Sequence, residues 1–128
     1  MSDRGSASLA LIGVMGLVLV LAVGLAAVGA YLRARVEAST AADAAALAAA
    51  PITFLPFGSK GPPVDEAIRF ARLNGARVVL CMCERDQSWE PRTVEVTTER
   101  TVEIWPLGVF TVRATGRAEF VPALLLDP

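Results

Sequence analysis

Cys81 and Cys83 are the two cysteines of this 128-residue chain, and they stand one residue apart in the stretch RVVLCMC. Two thiols so placed could hold a metal ion, form a disulfide, or pack as small apolar groups. A metal site needs further ligands, and the chain has no histidine to supply one. Residues two apart on an extended strand lie roughly 7 Å apart, beyond the reach of an unstrained disulfide. The spacing favours two buried small side chains, with an interchain disulfide to another protomer or a partner as the second reading. The other residue that stands out is Asp43, the lone charge in STAADAAALAAAP, Ser39 to Pro51. Ser39, Thr40, Ala46 and Leu47, three and four positions away, offer it no intrahelical ion pair. Asp43 is read either as a solvated carboxylate or as a contact to an arginine on the rest of the fold or on a neighbouring subunit.

Little else could do chemistry. Without histidine no Ser/His/Asp or Cys/His arrangement can be built. There is no phosphate-binding glycine loop and no dinucleotide fingerprint. With 12 basic and 13 acidic side chains the chain has no excess of positive charge for nucleic acid. The expectation is a chain that is not an enzyme, takes no cofactor or metal, and binds no nucleic acid. A tethered enzyme or ligand-binding domain is the remote alternative, to be recognised by a deep polar pocket.

The elements say more than the side chains. Between Gly5 and Leu32 there is no charge, long enough to span a bilayer that needs about 20 apolar residues. One transmembrane helix is expected over about 6–32, with membrane lipid as its partner. A cleaved secretory signal would have a core about half as long, although VGA, ending at Ala30, resembles a weak cleavage site. Arg4 and Asp3 flank one side and Arg33, Arg35 and Glu37 the other, so charge leaves the orientation nearly tied. An alanine-rich extension over 33–50 has high helix propensity, and Pro51 ends it. Residues 1–50 therefore read as one continuous helix, half in lipid and half outside. Alanine recurs every fourth residue from Ala22 through Ala34, Ala38, Ala42 and Ala46 to Ala50, a ridge of small residues where another backbone can approach closely.

The start DRGSASLALIGVM, the uncharged helix and ARVEASTAADAAALAAA resemble the TadE/TadG-like proteins of the tight-adherence (Flp) pilus machinery. AIRFARLNGARVVLC and TVRATGRAEF resemble the actinobacterial branch described as helicase/secretion neighbourhood TadE-like. The resemblance implies a type IV pilin-like subunit in the cytoplasmic membrane, amino terminus inside, head extracytoplasmic and able to reach the cell surface. It implies other pilin-like subunits and the Tad assembly platform as partners, and a prepilin peptidase cutting after Gly5 to expose Ser6. Pilins carry a glutamate at the fifth residue after the cut; Ala10 stands there, which points to a minor, tip or unprocessed role rather than a major pilin. The alternative is a non-polymerising membrane scaffold of a secretion system.

After Pro51 the chain changes character. Residues 51–63, rich in Pro and Gly, read as a linker whose Phe54, Leu55 and Phe57 pack back on the head. The head, 64–128, is expected to be α+β. Its helix runs from about Val64 to Asn74, with Ala67, Ile68 and Ala71 inward and Arg69 and Arg72 outward. A strand from Arg77 to Cys83 follows. Val94, Val96, Val102 and Ile104 share the buried face of the next strand, and Phe110, Val112, Ala114, Ala118 and Phe120 that of the last, giving an antiparallel sheet of about three strands. A three-residue loop over Pro106–Gly108, with Trp105 facing Val109, keeps the faces in phase and sets Glu99 across from Thr115 and Thr97 across from Arg117. Trp89 and Trp105 read as local packing, and the tail FVPALLLDP as closing the core or docking on a partner.

Overall fold

The structure, a computed structural model, describes residues 3–56 and 61–126, with side chains from Ala7 onward. Helix α1 runs unbroken over Asp3–Ala49, as the absence of proline and the alanine content require. It is, among the described residues, the helix long and apolar enough to cross a membrane. Its first half is bare, with almost nothing packed on it; its second half carries the head. The head consists of a 3-10 turn at Ala50–Thr53, helix α2 over Pro63–Leu73, and strands β1 (Arg77–Met82), β2 (Arg92–Ile104) and β3 (Gly108–Phe120). The strands form an antiparallel sheet in the order β1-β2-β3. This is the expected α+β, pilin-like build.

The alanine ridge is what the sheet sits on. Ala34, Ala38, Ala42, Ala46 and Ala50 are buried, joined by the neighbouring row Ala41, Ala45 and Ala49, whereas Ala22 and Ala26 above them are exposed. The far side of the helix, Val36, Ser39, Thr40, Asp43 and Leu47, faces away from the head. Two inner-face residues of β2 absent from the expected core reach the helix. Thr98, fully buried, donates its hydroxyl to the Ala38 carbonyl oxygen at 2.8 Å, and Arg100 pairs with Glu37 at 2.9 Å. Thr98→Val keeps the shape and removes the donor, while the Ala38 carbonyl keeps its place in the helical ladder. We expect a loss of about 1 kcal/mol, read as a lower denaturant midpoint of the full chain in detergent.

Helix α2 starts at Pro63, with Asp65 and Glu66 in its first turn, and Gly75 follows it with φ of 73°. Pro63, Ala67 and Ala71 form its buried row, and Ile68, expected inside, is exposed. The i, i+4 row of small residues lets α2 approach the alanines of α1 closely, and that leaves no room for a branched side chain. The segment read as a linker is packed at its start: Ile52, Thr53 and Phe54 are buried. Phe54 meets Trp89 edge-on at 4.9 Å between ring centroids, and its backbone pairs with that of Asp86. Phe57 lies outside the described residues.

The hairpin faces are as expected except at Phe110, expected buried but exposed because it lies near the tip, beyond the alanines that cover the sheet, and the register differs. Ile104 pairs with Gly108, so the loop is Trp105–Leu107, and Glu99 faces Arg113, Thr97 faces Thr115 and Glu95 faces Arg117. Gly108, with φ of 108°, occupies the first position of β3 rather than the last of the loop. Trp105 is not packed locally; it stands at the tip of the hairpin, exposed.

Candidate functional site

Every candidate residue can be placed on this frame. Gly5 and Ser6 lie in the first turns of α1, their side chains outside the described residues. Asp43 is exposed, and no cation among the described residues reaches it, because it stands on the side of α1 opposite the head. An arginine of the same head is therefore ruled out as its partner within the described residues. A neighbouring subunit is the reading left beside solvation.

The cysteines need a correction. Cys81 and Cys83 are bonded to each other, with Cα atoms 5.4 Å apart, so neither is a free thiol or available to a second chain. The extended-strand estimate does not apply because β1 ends at Met82 and Cys83 lies past the ladder. Both pack against the core, half-buried rather than buried as the first reading had them.

The junction between α1 and the head is the most constructed part of the molecule. Gly116, on the inner face of β3, lies directly over the helix backbone at Ala42 and Asp43, so close that a Cβ there would sit 2.5 Å from the Ala42 carbonyl oxygen. Glu37 of α1 accepts from Arg33 at 3.0 Å and pairs with Arg100 of β2, tying the helix to the sheet. The Arg33 hydrogen bond and then the Arg100 charge hold the Glu37 carboxyl below the usual range. Sequence reasoning missed Thr98, Arg100 and Gly116, and one signal marked all three. Each has the parity of its strand's buried face, and a glycine in a strand marks close backbone approach.

The outer face of the sheet carries charge in register. Glu99 accepts from Arg77 of β1 and, at 2.8 Å, from Arg113 of β3. Glu95 pairs with Arg117 at 2.7 Å. The hydrogen bonds from Arg77, then Arg113, outweigh desolvation and hold Glu99 below the ordinary carboxylate range. Because the folded value lies below the unfolded one, this stabilisation is complete above the ordinary glutamate pKa of about 4.3 and is lost as pH falls through the lower folded value. The melting temperature of the head should hold level down to pH about 5 and fall in acid. Glu99→Gln should be less stable at neutral pH, with its deficit shrinking in acid; a deficit constant with pH would show that Glu99 contributes no linkage.

Among the described residues no three histidine, cysteine or acidic side chains gather to hold a metal. The grooves among the described residues are shallow surfaces: one beside Arg77, Glu99 and Arg113 on the outer face of the sheet, one beside Glu84 and Asp86, one over α2, and one between the hairpin tip and α1. The arrangement holds a helix and positions a head. This defines the class: a small α+β head clamped to the outer half of one long helix whose other half is apolar. Residues 5–50 match the family model described as "Putative Flp pilus-assembly TadE/G-like". The long helix is thus similar to the TadE/G-like proteins of Flp pilus assembly, and it is long and apolar enough to cross a membrane. Comparison with curated proteins finds no match, and neither does comparison with solved structures.

Proposed function

We propose that this chain is a minor pilin or pseudopilin-like subunit of a Tad/Flp-type pilus or secretion system, acting structurally rather than as an enzyme. It sits in the cytoplasmic membrane with its amino terminus inside and its head outside. The observation that carries the reading is the division of α1: a bare apolar half, then, without a break, an alanine half buried under the head. The apolar half holds the subunit in lipid until helix packing draws it into an assembly. The alanine half fixes the head to the anchor on the outer side of the bilayer. The outward stripe of Val36, Thr40, Asp43 and Leu47 is the side on which a neighbouring helix of the assembly would lie. A prepilin peptidase acting after Gly5 and the Tad assembly platform are the partners this role requires.

Ala10, where pilins carry glutamate, favours a second reading, a non-polymerising single-pass scaffold. Shearing cells of the native host and sedimenting the released filaments separates the two. A minor pilin is recovered in part with the filaments; a scaffold stays wholly in the membrane fraction.

A further inference from the structure

The bare half of α1 and the head are not fully separate, because the β2–β3 hairpin extends beyond the clamp and returns along the helix. Ile104, Leu107 and Phe110 of the hairpin face Gly24, Ala27 and Tyr31 of α1 across a groove lined wholly by apolar atoms. Beyond the groove the tip is open: Trp105 is 83% exposed, Val109 67% and Leu107 62%. From Ile104 to Val112 there is no charged residue, and Glu103 and Arg113 stand just behind. Pro106 and Gly108 form the turn, as such residues do, but the positions beside them, which a water-facing tip normally fills with polar residues, carry tryptophan, leucine, valine and phenylalanine.

The level of the tip along the helix gives the reason. Counting from Gly5, where the uncharged run begins, about 20 residues at 1.5 Å each cross the hydrocarbon core and end near Leu25. The groove lies at that boundary, and the first charged side chain of the outer flank, Arg33, follows a turn or two later. Tyr31 and Trp105 therefore stand at the depth where aromatic side chains concentrate in membrane proteins, apolar ring inward and polar edge toward the headgroups. We propose that the hairpin tip, Trp105 to Val109, is a second membrane contact. It inserts into the outer lipid interface beside the anchor and sets the tilt of the head on the bilayer. The lipid surface is the occupant because the exposed apolar tip is continuous with the apolar surface of the spanning helix. The inference rests on α1 being the membrane anchor.

The test uses the full chain reconstituted into phosphatidylcholine/phosphatidylglycerol vesicles. Trp89→Phe keeps an aromatic ring against Phe54 and leaves Trp105 as the sole tryptophan. The expected result is co-flotation with vesicles, blue-shifted Trp105 emission, protection from acrylamide, and quenching strongest by lipids brominated near the headgroup end of the chain. Adding Leu107→Glu, at an exposed position, should red-shift the emission and open it to acrylamide while flotation persists. Flotation with Trp105 open to acrylamide and indifferent to bromine would overturn the tip contact and leave the anchor standing. Protection from acrylamide without bromine quenching would overturn it in favour of a neighbouring protein as the cover. Failure to float would overturn anchor and tip together.

Discussion

Gly116→Val should detach the head from the long helix. At this position β3 crosses α1 with no side chain between the backbones: an ideal Cβ would lie 2.5 Å from the Ala42 carbonyl oxygen and 2.5 Å from the Asp43 amide nitrogen, and closer still to the Ala42 carbonyl carbon. Neither partner can yield by a rotamer change, since both are backbone within a continuous helix. Either β3 lifts, breaking its register with β2 and uncovering Val94, Val96 and Ala118, or the helix bends. Overpacking of this kind costs about 3 kcal/mol or more, and for a head of this size the melting temperature should drop by more than about 10 °C. The measurement is thermal unfolding and limited proteolysis of the full chain in detergent. Gly29→Ala is the control, because a Cβ there meets nothing within 4 Å, and it should leave the head unchanged. A Gly116→Val protein as stable as the wild type would mean that the helix does not lie under β3 as described.

The second large effect is expected at Ala46→Leu. Ala46 is fully buried in the cluster that joins both helices to the sheet, with Ala67, Ala71, Val94 and Val96 around it. Three added carbons must push α2 or the sheet off the ridge, a loss of about 1–3 kcal/mol. Leu47→Ala, one residue on and on the outward side of α1, should change stability by no more than about 0.5 kcal/mol. The pair separates a packed ridge from a helix that merely tolerates alanine, since propensity alone would rank both changes as small. Equal melting temperatures for the two variants would remove the ridge from the account.

These two sites show how the sequence could and could not be read. The span of α1 and its continuity were legible because an uncharged run, the alanine content and the position of Pro51 each bear on the backbone directly. The ridge was legible as a spacing, and so was the part that the head covers: Ala22 lies in the uncharged run, whereas Ala34 stands between Arg33 and Arg35, outside it, and the head buries only the second. Strand faces followed from alternation. The hairpin register did not, because pairing Glu99 with Arg113 or with Thr115 leaves every side chain on the same face. Buried polar residues were the systematic omission. Thr98 and Arg100 were passed over as polar, although their parity placed them inward, where Ala38 and Glu37 satisfy them. The cysteine pair was misjudged because its distance depends on a strand end, the least legible feature of all.

The central claim is that this chain is a pilin-like subunit, made in the membrane and processed for assembly. The amino terminus of the mature protein tests it most directly, read by intact mass and terminal peptide analysis of native membranes. The account predicts a mature chain beginning at Ser6, cut after Gly5. A mature chain still beginning at Met1 would contradict it and leave an anchored assembly factor in its place.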